Sequence, residues 1–170
     1  IKTICFYAEI PEDEAKIRIG EFRTYEGYIN YGRCISNCYE EILYPLIEKE
    51  YVFKHDLKLG NVSIVYKDGK NIPIKKIQAG NPKLNRLLEM VKTAINKNEK
   101  TVIRSSFKQS GVYILSAFLQ SHNVKHIYVN THLNFDTRTK LLNEFNVGKH
   151  TVLLIDKDSS EGISLLKVEH

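Results

Sequence analysis

From residue 80 onward, apolar positions alternate between helical spacing and short continuous runs. A first helix is predicted after Gly80, Asn81 and Pro82, with apolar positions at Leu84, Leu87, Leu88, Val91 and Ile95. Two more amphipathic helices are predicted over about 109–121 and 136–145, the second capped by Asp136. The runs "TVIRS", "HIYVN" and "TVLLI" predict three strands beginning at Thr101, His126 and Thr151. This alternation predicts an α/β fold, a parallel sheet with helices on its faces.

The first half of the chain has a different pattern. "TICFYAEI" predicts an edge strand, and "SNCYEEILYPLIE" predicts a helix that Pro45 bends or ends. The segment 62–77 alternates on both sides of Lys67–Lys70, which predicts a β-hairpin inserted beside the core, within about 52–78. We therefore divide the chain into residues 1–79, which contain the hairpin, and residues 80–170, which form the α/β core.

Composition narrows the class of protein. The 170 residues are 42% hydrophobic, enough for one main core. No apolar run approaches the roughly 18 residues of a membrane span, so no membrane partner is expected. The chain starts at Ile1 and not at Met, which favours a fragment of a longer protein.

The three cysteines, Cys5, Cys34 and Cys38, form no regular disulfide framework, which favours a reducing, intracellular compartment. Cys34 and Cys38 are four residues apart, which suits buried thiols on a helix better than a zinc site with four ligands. His122 and His126 have the same spacing, but a predicted helix end and strand start separate them. Surface histidines are the favoured interpretation there, ahead of metal ligands.

Positive charge is concentrated in the middle of the chain. Residues 51–100 contain 11 basic and 4 acidic side chains, whereas residues 1–50 contain 6 basic and 10 acidic ones. The net charge of the whole chain is +5. Clustered lysines could bind a phosphate backbone. A solvated hairpin is the alternative, and charge by itself favours it.

Three polar loops follow the predicted strands, at 105–110, 130–135 and 156–164. The carboxyl ends of parallel strands lie at one edge of a sheet, where open α/β sheets bind ligands. The first and third loops are rich in hydroxyls, and Gly111 and Gly162 would let backbone amides approach a phosphate. These donors suit a nucleic-acid backbone or a nucleotide ribose, and no histidine or cysteine base accompanies them.

Two enzyme interpretations of the third loop fit poorly. "VLLIDKD" ends a strand in Asp, as the Mg-binding strand of a nucleotide hydrolase does, but no phosphate loop of the form GxxxxGK[ST] occurs in the chain. "IDKDSS" resembles the aspartyl nucleophile loop of haloacid dehalogenase-like phosphatases. That loop opens its fold, whereas here it lies near the end of the chain.

Three blocks together resemble a known family. They are "TVIRSSFKQSGVYILSAFLQ", "YVNTHLNFDTRTKLLNEFN" and "TVLLIDKDSSEGISLLKVEH". In order and spacing they resemble the conserved blocks of the second RecA-like domain of superfamily 2 helicases, the last being similar to motif V. With "ISNCYEEILYP", the sequence "SEGISL" most resembles poxvirus-like ATPases of large DNA viruses, which act as transcription-factor helicases. The resemblance to the superfamily covers residues 80–170 well and residues 1–79 loosely.

The resemblance implies a RecA-like lobe of a motor that closes on ATP and steps along DNA or RNA. Contacts to the nucleic acid would come from two groups of residues, the first being Ser105, Ser106, Lys108 and Thr131. The second is the motif V pair Ser159 and Ser160. Glu161, Gly162 and Ser164 would lie at the ATP interface and couple it to the strand. Ser164 stands where many relatives have an Asp that holds the ATP ribose, so we expect a weaker ribose contact.

Other family parts are missing from this sequence. The first RecA-like domain, which would hold most of the ATP and Mg, is absent, and so is the arginine-rich motif VI. The resemblance therefore implies no complete catalytic site and an inactive fragment, whose partners would be the first RecA-like domain, the nucleic acid and viral transcription machinery in the host cytoplasm or virion. A non-enzymatic nucleic-acid-binding or regulatory module that kept the fold is the alternative.

Overall fold

The structure, a computed structural model, describes residues 51–70, 81–160, 163 and 165. Its described part contains five strands and three α-helices, and the helices lie on the two faces of a sheet. The strands are β1 (Tyr51–His55), β2 (Val62–Tyr66), β3 (Thr101–Ser105), β4 (Ile127–Val129) and β5 (Val152–Asp156). The helices are α1 (Pro82–Asn96), α2 (Ile114–Ser121) and α3 (Phe135–Asn146). None of these helices is both long and apolar enough to cross a bilayer.

The core is a parallel sheet in the order β3-β5-β4. Thr101 pairs with Val152 and Ile127 pairs with Leu153, so the central strand β5 is bonded on both sides. All five residues of β5 are buried, which explains why "TVLLI" is apolar without alternation. The predicted α/β class, with a parallel sheet between helices, is confirmed, and it is consistent with a RecA-like fold.

Side chains on the two faces of the sheet form separate cores. Leu154 and Tyr128 point to the face covered by α1, α2 and β2. Leu153 and Val129 point to the opposite face, where Leu141 and Phe145 of α3 cover them. Ile163 and Leu165 also pack against this second core. Helices therefore cover both faces, as the alternation of strands and helices predicts.

Helix α1 begins where the sequence predicts. The Asn81 side chain accepts hydrogen bonds from the backbone N–H groups of Lys83 and Leu84, at 3.0 and 3.2 Å. Pro82 occupies the first turn, where its missing N–H costs nothing. Asn98 follows the helix with φ of 57°, a conformation that Asn tolerates better than most residues.

The start of α3 differs from the prediction. The cap is Asn134, whose side chain accepts a hydrogen bond from Thr137 N–H at 2.8 Å. Asp136 lies within the first turn, where its charge favours the helix N-terminus. Both residues are good caps by type, but the cap lies two residues before the predicted one, and the helix begins at Phe135.

The predicted helix after β3 is divided. Its first part, Lys108–Tyr113, is π-helical, and α2 follows directly. Val112 N–H donates to Phe107 O, five residues back, at 3.0 Å. This wider turn carries Gly111 past Ser105, where a Cβ on the glycine would lie 2.2 Å from the serine Oγ.

The structure contains part of the predicted hairpin, together with one strand that was not predicted. Strand β2 exists, and so does the turn at 67–70, in which Gly69 N–H donates to Tyr66 O at 2.8 Å. However, β2 pairs antiparallel with β1, a strand that the pattern did not reveal. The predicted second strand at 71–77 lies outside the described residues, as do the predicted edge strand and helix within 1–50 and the three cysteines.

The β1–β2 hairpin is fixed to the core by a chain of buried hydrogen bonds. Val62 N–H donates to Ser116 Oγ at 2.9 Å, and Ser116 Oγ lies 2.8 Å from Nε2 of His126. His126 Nδ1 bonds to Val124 O at 2.9 Å. With Nδ1 protonated, every donor in the chain meets an acceptor, and burial lowers the His126 pKa, which favours this neutral form.

The surface interpretation of His126 is therefore wrong, because its side chain is 3% exposed. The structural reason is that Ser116 and Val124 offer it partners inside the fold. His122 is half-buried and stacks edge-on against Phe118. No group of three or more His, Cys, Asp or Glu side chains in the described part of the chain could hold a metal ion.

We expect Gly60→Ala to destabilise the protein far more than Gly69→Ala. Both glycines have positive φ, at 75° and 83°, so an alanine would cost about 1–2 kcal/mol of backbone strain at either position. At Gly60 the added Cβ would also lie 1.8 Å from Tyr128 O, whereas at Gly69 nothing lies within 4 Å. Urea denaturation of both variants measures the difference in the free energy of unfolding. Equal losses would contradict the close packing of the hairpin loop on β4.

Candidate nucleic-acid interface

The loops that follow β3, β4 and β5 emerge from the same edge of the sheet. The three strands are parallel, and Ser105 and Val129 are each paired with β5, at Asp156 and Ile155. The loop after β5 therefore lies between the other two. This arrangement confirms the expectation that the three polar loops share the carboxyl edge of the sheet.

The two serines at the end of β3 face different surroundings. Ser105 is half-buried, and its Oγ accepts a hydrogen bond from Phe107 N–H at 3.2 Å. Ser106 is exposed. Ser105 thus shapes the turn, whereas the Ser106 side chain faces solvent at the edge.

Lys108 joins the first loop to the loop after β5. Its Nζ lies 2.7 Å from Oδ2 of Asp158, and that hydrogen bond is the main cause of its raised pKa. The two side chains are 39% and 58% exposed. An ion pair this exposed contributes only about 0–1 kcal/mol, so an incoming phosphate could take the lysine from Asp158.

Asp156 fixes the start of the loop after β5. It is 1% exposed, and it accepts hydrogen bonds from Tyr128 OH, Ser159 N–H (2.8 Å) and Ser159 Oγ–H (2.7 Å). Burial opposes ionisation of the carboxyl group, but the hydrogen bonds from Tyr128 and Ser159 outweigh it and hold the Asp156 pKa below its usual value. Burial and the carboxylate together raise the pKa of Tyr128, so the shared proton stays on the phenol.

The predicted motif V serines lie in this turn. Ser159 is 7% exposed and donates inward to Asp156. Ser160 is half-buried and donates to Lys157 O at 2.8 Å. Glu161, Gly162 and Ser164 lie outside the described residues, so their interface role stays a prediction.

The loop after β4 is held by Asn130. This buried side chain donates to Gly60 O and Tyr128 O, both at 3.1 Å, and accepts from His132 N–H at 2.9 Å. Thr131, the residue between them, is exposed. Of the predicted contact residues, Ser106 and Thr131 are the two whose side chains are most open to solvent.

An aromatic and histidine cluster connects the hairpin to this edge, and the sequence pattern did not reveal it. Tyr113 OH lies 3.2 Å from His132 Nε2, and the His55 and His132 rings stack with centroids 4.1 Å apart. Phe53 meets Tyr113 edge-on at 4.8 Å. Burial, reinforced by the neighbouring His132, lowers the His55 pKa. The cluster draws on β1, the π-helical segment and the loop after β4, which are far apart in sequence.

Comparison with known proteins shows a weak similarity to a protein named as a helicase. No family model matches the sequence. A protein of Acanthamoeba polyphaga mimivirus, described as a putative ATP-dependent RNA helicase, is 29% identical over 92 residues. The match covers 54% of this chain and 20% of the length of the mimivirus protein. The chain is thus distantly related to a viral protein named as a helicase, over a small part of that protein.

The depressed Asp156 pKa predicts a loss of stability in acid. A carboxyl group with a lowered pKa in the folded state stabilises the fold above its unfolded pKa of about 3.9, and this contribution disappears as pH falls below that value. We expect Asp156→Asn to lower the free energy of unfolding at pH 7 by about 1.5–3 kcal/mol, the usual worth of hydrogen bonds to a charge. The difference from wild type should shrink as pH falls below about 4.

Denaturant titrations from pH 7 to pH 2.5 test this expectation. Tyr128→Phe is the matched control, because it removes one donor and keeps the carboxylate, so it should lose less stability at pH 7 and keep a pH dependence. A wild-type minus Asp156→Asn difference that stays constant over this range would contradict the assignment.

Proposed function

We propose that this chain is the second, C-terminal RecA-like lobe of an ATP-dependent nucleic-acid helicase or translocase. The observation that supports the proposal most is the single edge that carries all three polar loops, in a chain whose relative is named as a helicase. Ser106 and Thr131 offer exposed hydroxyls there, and Lys108 offers a cation. Hydroxyls and lysines of this kind bind the phosphates of a strand without reading its sequence.

The described residues do not fit a magnesium site at this edge. The two described carboxylates of the loop after β5 are occupied, since Asp156 accepts three hydrogen bonds and Asp158 pairs with Lys108. In our proposal the first RecA-like domain of the longer protein holds Mg and most of the ATP. The loop that begins at Ser159 contacts that domain and transmits the state of the nucleotide to the strand.

The ion pair between Lys108 and Asp158 could couple strand binding to the ATP interface. The pair connects the loop that would touch the strand with the loop that would touch ATP. A phosphate that displaced Asp158 would release the loop after β5 from the first loop. Because the pair is exposed and weak, the exchange would cost little.

Nucleic-acid-stimulated ATP turnover by the full-length protein tests the proposal as a whole. We expect turnover to rise when single-stranded DNA or RNA is added, and Glu161→Gln to cut the stimulated rate about tenfold, roughly 1.4 kcal/mol of barrier, with an unchanged melting temperature. Strand binding without any ATP turnover would contradict the motor and favour a binding module. Normal stimulation in Glu161→Gln would remove the coupling role of that residue.

Because Lys108 and Asp158 form an ion pair, we expect substitutions of the two residues to change the affinity for a single strand in opposite directions. Lys108→Gln should weaken binding of a single strand and lower the log–log salt slope by about 0.7, the value for one phosphate contact. Asp158→Asn should strengthen binding about threefold or more, because it frees Lys108 and removes a nearby negative charge. Fluorescence anisotropy over a salt series measures both.

Lys149→Gln is the control for these variants. Lys149 is also an exposed lysine in an ion pair, with the half-buried Glu144 at 2.6 Å, but it precedes β5 and so lies at the opposite edge of the sheet. We expect the Lys149→Gln variant to have the same affinity for a single strand and the same log–log salt slope as wild type. Weaker binding in Asp158→Asn would show that Asp158 does not compete with phosphate.

A further inference from the structure

A groove runs between the first turns of α1 and the end of β3. Its volume is about 500 Å³, which is within the range of pockets that hold small ligands. The groove opens at Ser105 and Ser106, the serines at the carboxyl edge. We call this cavity the edge groove. Its lining includes the side chains of Lys83, Arg86, Arg104, Ser106, Met90 and Phe107.

The charge of the edge groove has one sign. Three basic residues line it, and none of its lining residues is acidic. Arg86 pairs with Glu89 at 3.0 Å, but both side chains are about 70% exposed (73% and 68%), so the pair is weak. Arg104 is exposed and makes no ion pair within the part of the chain that the structure describes. Such a groove favours an anion.

The floor of the edge groove is apolar. Met90 is 54% exposed although it lies on a helix that packs against the core, and Leu87 beside it is half-buried. Phe107 adds an aromatic ring at the mouth. An apolar floor under a cationic rim suits a ligand that has both a flat apolar part and a negative charge, as a nucleotide has.

The two ends of the groove differ in charge. It continues along α1 and β3 into a second groove of about 660 Å³, which shares Arg86, Met90 and Arg104 with it. The second groove is lined by Glu89 and Glu99 as well. These carboxylates offset the positive charge of Arg86, Lys97 and Arg104 there. An anionic ligand is therefore favoured at the end near Ser106, where no carboxylate lines the groove.

We propose that the edge groove binds one nucleotide unit of a single-stranded nucleic acid, with a phosphate at Arg86 and Arg104 and the base over Met90. This inference rests on the proposed function, because it extends the strand path from Ser106 onto the surface of α1. None of the three contact residues belongs to the loops that the sequence singled out. The bound unit would lie on the side of β3 away from β5.

Strand binding by the full-length protein over a salt series tests the phosphate contacts. Arg86→Gln and Arg104→Gln should each weaken binding of a fluorescent single strand about threefold to tenfold and lower the salt slope by about 0.7. Lys92→Gln is the matched control. Lys92 is an exposed cation on the same helix, but it lines a different cavity, with His122, and it should behave as wild type.

A second comparison tests the base contact. Met90→Ser should weaken binding of an ordinary strand about threefold or more and leave binding of a strand of abasic units unchanged. All four positions are on the surface, so thermal melts should coincide with wild type. Two independent arginines keep the test decisive if one variant is unstable.

The outcomes separate this inference from the proposed function. If both arginine variants bind like Lys92→Gln while Lys108→Gln binds weakly, the groove is not on the strand path and the proposed function stands. If the wild-type protein binds no strand, both proposals fail. Displacement of the strand by an equal concentration of mononucleotide, with loss of that effect in Arg104→Gln, would overturn the inference in favour of a free-nucleotide site.

Discussion

A carboxylate that is removed from water must be surrounded by donors, and Asp156 imposes this requirement on the carboxyl edge of the sheet. Its donors come from β4, through Tyr128, and from the following turn, through Ser159. Satisfying one buried charge therefore sets the distance between two strand ends and the path of the loop after them. Tyr128 also contacts Tyr113, so the same requirement reaches the aromatic cluster that supports the hairpin.

The periodic elements of the fold could be predicted because their signals are local. The spacing of apolar residues in α1 and the continuous apolar run of β5 follow directly from burial on one face or on two. The features that were missed depend on partners in a neighbouring segment of the chain. Strand β1 is only five residues long, and its pairing with β2 decides its state. Likewise, the burial of His126 depends on Ser116, which no spacing rule connects to it.

The candidate site also has features that could be predicted from the sequence and features that could not. That three loops would meet at one edge follows from the parallel alternation of strands, and this was predicted. The orientation of individual side chains was not. Ser105 and Ser159 both look like ligand-binding hydroxyls in sequence, yet each bonds within its own turn, and Lys108 has a carboxylate partner fifty residues away. Arg86 and Met90 of α1 and Arg104 of β3, which line the edge groove, lie outside the three loops that the sequence pattern indicated.

The order of strands in the parallel sheet has a consequence for how the chain assembles. Among the described strands, β3 and β4 are not paired with each other, and each is paired with β5. On a ribosome, which supplies the chain from its N-terminus, both outer strands emerge before the strand that joins them. Until β5 is made, their inner edges stay unpaired, and exposed strand edges invite pairing with other chains. The hairpin loop bonded to Tyr128 N–H already shields the outer side of β4, so the early vulnerability lies on the inner side, where β5 will insert.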